Sequence, residues 1–302
     1  MAVVTSRLGP ILCLGSLACS DYEVANLTLQ DIFTQDEEAP ADVLFVVDDS
    51  ASMFEEQANL AANFASFVEL LGDTTADFRI GVTTTDPARG GVLLGPVLTP
   101  ETDDVVAAFS AQVAVGTGGA RDEQGLAMGV RGLRDDVNPG FLRNDGVAHV
   151  VFVSDEDDHS TSELAVLVDA LRGAAIGDGI TAHALVGDVP AGCLSGSSAA
   201  DAGTRYLSVA TELGGLTESI CADDYALVLE GIGLVVSGWN PIFLLSDLPA
   251  EKTLAVWVDE VAIPHRVDDG WTWSVGDNAI VFSGRAIPRP GMSVRVTYQR
   301  GT

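Results

Sequence analysis

A short run of oxygen-bearing side chains is the first place where this sequence could do chemistry. Asp48, Ser50 and Ser52 alternate directly after the apolar run 43–47. Alternation along a tight turn places one carboxylate and two hydroxyls on the same side of a loop. Hard oxygen donors of this kind suit Mg²⁺, Mn²⁺ or Ca²⁺ better than zinc or copper. The run therefore predicts a divalent-cation site with Mg²⁺ as the expected ion; the alternative is a serine-rich turn that only caps the next helix.

The apolar run before Asp48 is the element that must position this loop. Residues 43–47 contain no polar side chain, which is typical of a strand buried on both faces of a parallel sheet. Apolar residues then recur at helical spacing from Met53 to Leu71, before Gly72. Further strands are predicted at 78–83, 92–97, 149–154 and 180–186, and further helices at 102–113, 124–133, 164–171, 206–213 and 225–236. This alternation predicts a doubly wound, mostly parallel α/β sheet with helices on both faces, which binds ligands at the carboxyl edge of its strands.

The spacing Asp-x-Ser-x-Ser at Asp48, Ser50 and Ser52 resembles the metal-ion-dependent adhesion site (MIDAS) of von Willebrand factor type A domains. The resemblance covers roughly residues 41–237. It implies a Rossmann-like doubly wound fold and a distal aspartate at the end of a second buried strand. Asp155 follows such an apolar strand in this sequence, so the resemblance implies that Asp155 is the fourth metal ligand.

The third loop of the site has two candidate ligands. Family members usually supply a threonine from a loop just before a helix. Thr117 is the only threonine in the corresponding loop, but it lies farther from the predicted helix start at Gly125 than the family pattern implies. Glu123 lies close to that helix start and could replace it. A threonine leaves the cation short of negative charge and open to a partner's carboxylate, whereas Glu123 would favour Ca²⁺ or a purely structural ion.

The resemblance implies a binding module rather than an enzyme. Its cation would be completed by a carboxylate of a protein or peptide partner, as in metal-dependent adhesion. A metal-dependent hydrolase is the alternative from another class, with Asp155, Asp157 and His159 as acid or base beside an ion-activated water. A third possibility is a structural scaffold that keeps the fold around a vestigial metal site. Residues 156–158 are interpreted mainly as a solvated loop whose last member, or Ser160, caps the following helix.

The first 19 residues have the composition of an export signal. Arg7 precedes a short apolar stretch, and Cys19 follows the small residue Ala18. The segment resembles a bacterial lipoprotein signal, which implies lipid attachment at Cys19 and a place in the cell envelope, on the periplasmic or the extracellular side. The alternative is a buried amino-terminal strand with an ordinary cysteine. Residues 20–40 are largely polar and acidic and are predicted to be a linker.

Two later cysteines stand in glycine- and serine-rich surroundings. Cys193 and Cys221 are 28 residues apart, and in an exported protein such cysteines are expected to pair. Closing a loop of this size would stabilise the chain by roughly 3 kcal/mol in the chain-entropy model. We therefore predict a disulfide between them; the alternative, if the protein is not exported, is two buried thiols.

The carboxyl-terminal part changes from helical spacing to alternation of period two. From Thr253 onward apolar residues alternate with polar ones between turn-forming clusters. This pattern predicts a small antiparallel β domain at 241–302, after a type A-like domain at 41–240. The predicted organisation is thus signal, linker, metal-binding domain and β domain.

Composition limits the possible partners. The 302 residues carry 15 basic and 44 acidic side chains, a formal net charge of −29. Because nothing could neutralise a row of phosphates, nucleic acid and anionic membrane surfaces are excluded, and membrane contact is expected only through an amino-terminal lipid. A hydrophobic content of 47% is enough for a large core and excludes a disordered chain.

Overall fold

The structure is a computed structural model, and it describes residues 28–35, 40–72, 77–119, 122–175, 179–195, 198–267, 269–276, 278–283 and 286–301. The predicted export signal at 1–19, including Cys19, lies outside the described residues. Among the helices that are described, none is long and apolar enough to cross a membrane.

Strands and helices alternate through the first two thirds of the chain, and strands alone dominate the last third. The strands are β1 (Thr28–Thr34), β2 (Ala41–Val47), β3 (Phe78–Thr84), β4 (Val147–Ser154), β5 (Ile180–Val186), β6 (Cys193–Ser195), β7 (Ser198–Ala200), β8 (Thr217–Ser219), β9 (Ile242–Leu244), β10 (Ala255–Val258), β11 (Val261–Ile263), β12 (Trp271–Ser274), β13 (Ala279–Phe282) and β14 (Ser293–Gln299). The helices are α1 (Phe54–Gly72), α2 (Val105–Val113), α3 (Gly125–Gly132), α4 (Leu164–Ala174), α5 (Thr204–Glu212) and α6 (Ala226–Val236).

The central sheet has the strand order β3-β2-β4-β5-β8, and all four pairings are parallel. Its second strand, β2, therefore lies between β3 and β4. In this register Val47 is opposite both Thr84 and Val153. The carboxyl ends of three strands thus meet at one edge, and the predicted doubly wound parallel sheet is confirmed.

The two faces of β2 pack against different helices, which explains why its sequence has no solvent side. Phe45 belongs to a core cluster with residues of α1, α2 and α6. Val46 belongs to the opposite cluster, with residues of α3, α4 and α5. All seven residues of β2 are buried. Burial on both faces fixes the strand firmly and hence the position of the loop that follows it.

The carboxyl-terminal part consists of two small antiparallel sheets, β1-β14-β10-β11 and β12-β13-β9. They share one core, which also receives Leu234 from α6. The prediction of antiparallel strands in this part is confirmed.

Part of the segment predicted as a linker belongs to this β structure. Thr28–Thr34 forms β1 and pairs with β14 along its whole length, so the linker prediction is wrong for these seven residues. Leu29 and Phe33 pack against the core of the β sheets, while Asp31 between them accepts hydrogen bonds from Ser246 and Tyr298. The sequence does not show the apolar alternation typical of a strand, because Asp31, on the same face as Leu29 and Phe33, is a carboxylate.

One strand prediction in the large domain is also wrong. Residues 92–97 form no strand among the described residues; Leu98 alone makes an isolated antiparallel bridge with Ile80 of β3. Gly90 and Gly91 have φ of 69° and 78°, values that favour glycine, and they turn the chain just before this segment.

Candidate metal centre

Asp48 lies at the end of β2, where its carboxylate is fully buried. Its backbone N–H donates to Val153 O at 2.9 Å, which continues the pairing with β4 by one residue. Asp48 Oδ1 accepts a hydrogen bond of 2.7 Å from the Ser50 N–H, and Oδ2 accepts one of 2.6 Å from the Ser154 hydroxyl. Burial raises the pKa of Asp48 despite these donors, because the low-dielectric surroundings disfavour its charge.

Ser50, Ser52 and Asp155 form a chain of contacts beside Asp48. The two serine Oγ atoms are 3.1 Å apart, and the Ser52 hydroxyl is near enough to the Asp155 carboxyl to lower its pKa in part. Asp155 is only 3% exposed, and its pKa is raised to about 6 by burial first and then by the negative charges of Asp48 and its neighbours. The structure therefore brings together Asp48, Ser50, Ser52 and Asp155, from the ends of two adjacent parallel strands.

The third loop places its two candidates differently. Thr117 is exposed on the loop surface. Glu123 is fully buried directly before α3, and its Oε2 accepts a hydrogen bond from the Thr85 hydroxyl, at the end of β3. Burial and then the negative charge of Asp48 raise the pKa of Glu123 to about 8. The charge of Asp48 therefore acts on the carboxyl group of Glu123. The other acids of the site are also buried.

Backbone contacts fasten the third loop to the first. The Gln57 side-chain amide donates to Asp48 O at 2.9 Å and to Gly116 O at 2.8 Å. The Gly119 N–H donates to Asp49 O at 2.8 Å, and a Cβ added at Gly119 would lie only 2.2 Å from Asp49 Oδ1. Only glycine permits this close approach, so the loop is held against the cation loop at two points.

Three residues near the site were not found by sequence analysis. Asp49 is 2% exposed, and its pKa is raised to about 6 by burial and by the charge of Asp86; Arg89 Nε lies 3.9 Å from its Oδ2. Ser154 orients Asp48, and Gln57 joins the two loops. Asp49 and Ser154 each adjoin a predicted ligand at the end of a buried strand, so their position was a usable signal. Gln57 gave no such signal, since it lies in the first turns of a helix.

The acidic loop after Asp155 is mainly structural. Asp158 accepts from the Leu126 N–H at 3.0 Å and from Arg205 Nε at 3.0 Å, and Ser160 Oγ accepts from the Ala127 N–H at 3.1 Å. The prediction that Asp158 or Ser160 caps the following helix from a solvated loop is wrong, because both side chains are buried and accept from the first N–H groups of the earlier helix α3. This cap fixes the start of α3, two residues after Glu123.

The two hydrolase candidates, Asp157 and His159, make different contacts. Asp157 Oδ1 accepts from the Arg205 N–H at 2.9 Å, which ties this carboxylate to the start of α5. His159 has an exposed side chain, while its backbone N–H donates to Glu123 O at 2.7 Å. Asp157 thus supports the loop, and His159 contributes through its backbone.

The donor set fits a hard divalent cation. Three buried carboxylate oxygens, Asp49 Oδ1, Glu123 Oε1 and Asp155 Oδ1, accept no hydrogen bond from any described residue. Buried carboxylates need a compensating charge, and an ion held by oxygen donors supplies it. In the described part of the chain no group of three or more His, Cys, Asp or Glu residues forms a metal cluster. The candidate centre is of another type, because hydroxyls supply part of its oxygen donors.

A pocket of about 660 Å³ opens beside the candidate centre and shares Ser52 and Asp155 with it. Residues of the paired strands β6 and β7 form part of its wall. The predicted disulfide between Cys193 and Cys221 is confirmed, and it fastens this hairpin to the segment after β8. Burial, and then the charges of Asp48 and Asp201, raise the pKa of Glu156 on the pocket wall.

The domain formed by β2–β5 and β8 with its helices has a doubly wound, Rossmann-like α/β fold, with the candidate centre at the carboxyl edge of its sheet. No protein-family model and no curated protein sequence matches the chain.

Solved structures similar to this chain include a bacterial adhesin, a mussel protein and a second bacterial protein. The pilus adhesin SpaC from Lactobacillus rhamnosus GG is 11% identical with a TM-score of 0.47, over 90% of this chain and 40% of the adhesin. Proximal thread matrix protein 1 from the mussel byssus, solved with a zinc-occupied MIDAS motif, is 15% identical with a TM-score of 0.42, over 68% of this chain and 48% of that one. BatB from Bacteroides thetaiotaomicron is 14% identical with a TM-score of 0.39, over 66% of this chain and 97% of BatB.

The chain thus spans less than half the length of the adhesin and of the mussel protein. At TM-scores below 0.5 these likenesses carry no argument, and the conclusions on fold and site rest on this chain's own residues.

Proposed function

We propose that this chain is a protein-binding module that depends on a divalent cation. One observation carries the proposal: four oxygen-bearing side chains, Asp48, Ser50, Ser52 and Asp155, converge at the carboxyl edge of the sheet, beside an open pocket. Their oxygens are of the type that Mg²⁺, Mn²⁺ and Ca²⁺ prefer. Mg²⁺ is the ion we expect, since two carboxylates and two hydroxyls leave room for water and a partner's oxygen.

Each residue has a distinct part in holding such an ion. Asp48 and Asp155 supply the negative charge, and Ser50 and Ser52 supply neutral oxygens. Thr117 and Glu123 are the alternative third-loop donors: Thr117 is exposed, whereas Glu123 is buried and its Oε1 accepts no hydrogen bond from the described residues. When bound, the cation would supply a positive charge that attracts a carboxylate of a protein partner.

A structural ion is the competing function, and the position of Glu123 is the observation that favours it. A third buried carboxylate would over-neutralise a divalent cation and weaken its attraction for a partner's carboxylate. Under this alternative the chain would bind the ion, but removing the ion would lower stability without releasing a partner.

We further propose that the protein acts outside the cytoplasm, held in the cell envelope by a lipid on Cys19. The Cys193–Cys221 disulfide supports export, because disulfides persist in oxidising compartments. The signal-like composition of residues 1–19 supports lipid attachment. Mass spectrometry of the protein from its native membrane fraction tests this, and an unmodified Cys19 would contradict the anchor.

Calorimetric titration with Mg²⁺, Mn²⁺ and Ca²⁺ tests the cation site. Wild type should bind with measurable heat, and Asp48→Ala and Ser52→Ala should lose most of it. Ser52 is exposed, so its variant avoids the folding cost of changing a buried acid. Asp169→Ala is the matched control, since Asp169 is an acid on the far helix α4 with 81% of its side chain exposed. Equal heats for wild type and Asp48→Ala would sink the metal site.

A pull-down from the native cell envelope, in Mg²⁺ and in chelator, tests the binding function. A protein partner should be retained in Mg²⁺ and released by the chelator. Ser52→Ala should fail to retain that partner, and Asp169→Ala should retain it. Equal retention of the partner with and without the ion would contradict the cation-dependent binding function and leave only a structural role for the ion.

A further inference from the structure

The pocket beside the candidate centre has two chemically different parts. One end is acidic and adjoins the cation ligands; the other is apolar and formed by the β6–β7 hairpin. Its lining consists of Ser52, Asp155, Glu156, Asp201, Ala191, Gly192, Cys193, Leu194, Ala199 and Ala200.

The apolar wall, formed by residues of β6 and β7, is held by a disulfide and by close packing, and it is exposed. Cys193 begins β6 and is tied by its disulfide to Cys221, and a Cβ on Gly192 would lie 2.1 Å from Ala200 O, so the two arms of the hairpin are closely packed. Leu194 is nevertheless 84% exposed, an unusual state for a leucine on a fixed strand. This wall can therefore cover the aliphatic part of an incoming side chain.

The acidic end has a surplus of negative charge. Asp155, Glu156 and Asp201 all line it, and no Lys, Arg or His is among its described lining residues. Asp155 is 3% exposed, and its Oδ1 has no hydrogen-bond donor in the described part of the chain. Arg205 on α5 is already engaged by Asp158 at 3.0 Å, and His159 is the basic residue of this loop whose charge acts on Glu156.

Charge balance requires a cationic group here when a partner is bound. Asp48 and Asp155 together neutralise one divalent ion, so a partner's carboxylate would add a net negative charge at the site. Two further acids then face the pocket directly beside that carboxylate. A positive charge in the pocket would offset this repulsion.

We propose that the pocket binds the side chain of a lysine or arginine in the partner, one or two residues away from the carboxylate that completes the cation. The aliphatic stem lies along Leu194, Ala199 and Ala200, and the charged head reaches Glu156 and Asp201, since long basic side chains combine an apolar stem with a polar tip. The short separation follows because the pocket and the cation site share Ser52 and Asp155, and one extended residue spans about 3.5 Å. The proposal rests on the proposed function and specifies the partner's recognition segment.

Short blocked peptides test the proposal. The probes are acetyl-Gly-Lys-Asp-Gly-amide and acetyl-Gly-Asp-Lys-Gly-amide, with Leu or Glu in place of Lys as comparisons, each titrated in Mg²⁺ and in chelator. Methyl resonances of Leu194, Ala199 and Ala200 report occupancy of the pocket itself. The better of the two Lys peptides should bind about tenfold more tightly than its Glu counterpart and shift these methyl signals.

A charge reversal sharpens the test. Asp201 has an exposed side chain on the pocket wall, so Asp201→Lys should fold normally and reverse the preference, binding the Glu peptide more tightly than the Lys peptide. Asp188→Lys is the matched control, because Asp188 is an exposed acid in the segment before β6 and does not line the pocket. Asp188→Lys should keep the preference for Lys.

The outcomes separate the pocket from the cation. Mg²⁺-dependent binding that is equal for the Lys, Leu and Glu peptides overturns the basic-side-chain pocket and leaves the proposed function standing. A Lys preference that persists unchanged in chelator supports the pocket and overturns the cation dependence. Absence of binding by every peptide overturns the inference, while the metal titration and envelope pull-down still decide the proposed function.

Discussion

The Ser154 hydroxyl donates a hydrogen bond of 2.6 Å to Asp48 Oδ2, and both residues are fully buried. The two residues end neighbouring strands, β2 and β4, and Ser154 directly precedes Asp155. One hydroxyl therefore fixes the orientation of one candidate ligand while its own strand delivers another. Contacts of this kind outside the ligand shell commonly set the affinity of a metal site.

Ser154→Ala should weaken cation binding by about tenfold, because Asp48 loses the donor that orients its carboxylate. The free energy of unfolding without metal should fall by about 1–3 kcal/mol, since a buried acceptor loses its partner. Calorimetric titration and urea unfolding measure the two effects. Ser208→Ala, which removes an exposed hydroxyl from α5, is the control. Unchanged cation affinity in Ser154→Ala would show that Asp48 is not a ligand or needs no orienting contact.

Glu123→Gln and Thr117→Ala separate the two candidates of the third loop. Glu123→Gln should weaken cation binding by about tenfold or more, because it removes a buried carboxylate charge while preserving the side chain's size. Thr117→Ala should change the affinity by less than about twofold, since Thr117 is exposed. The measurement is titration with Mg²⁺ and Ca²⁺ in parallel. The reverse ranking of the two variants would assign the position to Thr117.

Replacing both cysteines by serine, Cys193→Ser with Cys221→Ser, should lower the free energy of unfolding by about 3 kcal/mol. The loss arises because the disulfide closes a loop of 28 residues and restricts the unfolded chain. Urea unfolding of the variant should match that of reduced wild type. Since Cys193 also lines the pocket, the Lys preference of the peptides should weaken in the same variant. An unfolding curve that reduction leaves unchanged would contradict the stabilising role.

The buried pair of His149 and His183 should make the protein less stable in acid. Leu216 N–H donates to His183 Nδ1 at 3.1 Å, so His183 Nε2 holds the proton and faces His149 Nδ1 at 3.4 Å. Burial lowers the pKa of His149 to about 4 and that of His183 well below its usual value. As the pH falls from about 6.5 towards 4, the two histidines therefore bind protons in the unfolded chain but not in the folded chain.

Stability should be unaffected by these histidines above pH 6.5 and should fall below it by up to about 1.4 kcal/mol per pH unit for each histidine. Urea unfolding of wild type and of His149→Leu with His183→Asn, across pH 4.5 to 7.5, measures this, and the asparagine oxygen can replace Nδ1 as acceptor. The acidic cluster titrates in both proteins, so the difference between their profiles isolates the histidines. Parallel profiles would contradict the prediction.

Local pattern was enough to predict the central sheet. β2 is buried on both faces, and such burial leaves no place for a polar side chain between Val43 and Val47. The helices on either face likewise carry recurring apolar positions, because each packs one side on the sheet. The strand at Thr28–Thr34 was missed for the opposite reason: its partner strand begins at Ser293, and an inward Asp31 interrupts the apolar alternation.

The candidate site was predictable where it follows directly from a strand end. Asp48, Ser50 and Ser52 are within one loop, and Asp155 is the first residue after a buried strand. The acidic loop was less predictable, because Asp158 caps a helix that begins more than thirty residues earlier in the chain. Such a contact depends on how the strands are ordered and is not marked by local sequence.

The sequence by itself determined the buried strand that leads to Asp48, the alternation of oxygen donors after it and the pairing of Cys193 with Cys221, because hydrophobic periodicity, donor chemistry and cysteine context are local properties. Only the tertiary structure decided that Asp155 meets Ser52, that Glu123 lies buried while Thr117 is exposed, and that an acidic pocket adjoins the site. These relationships follow from parallel register and from packing between distant segments, which place side chains according to strand order rather than position in the chain.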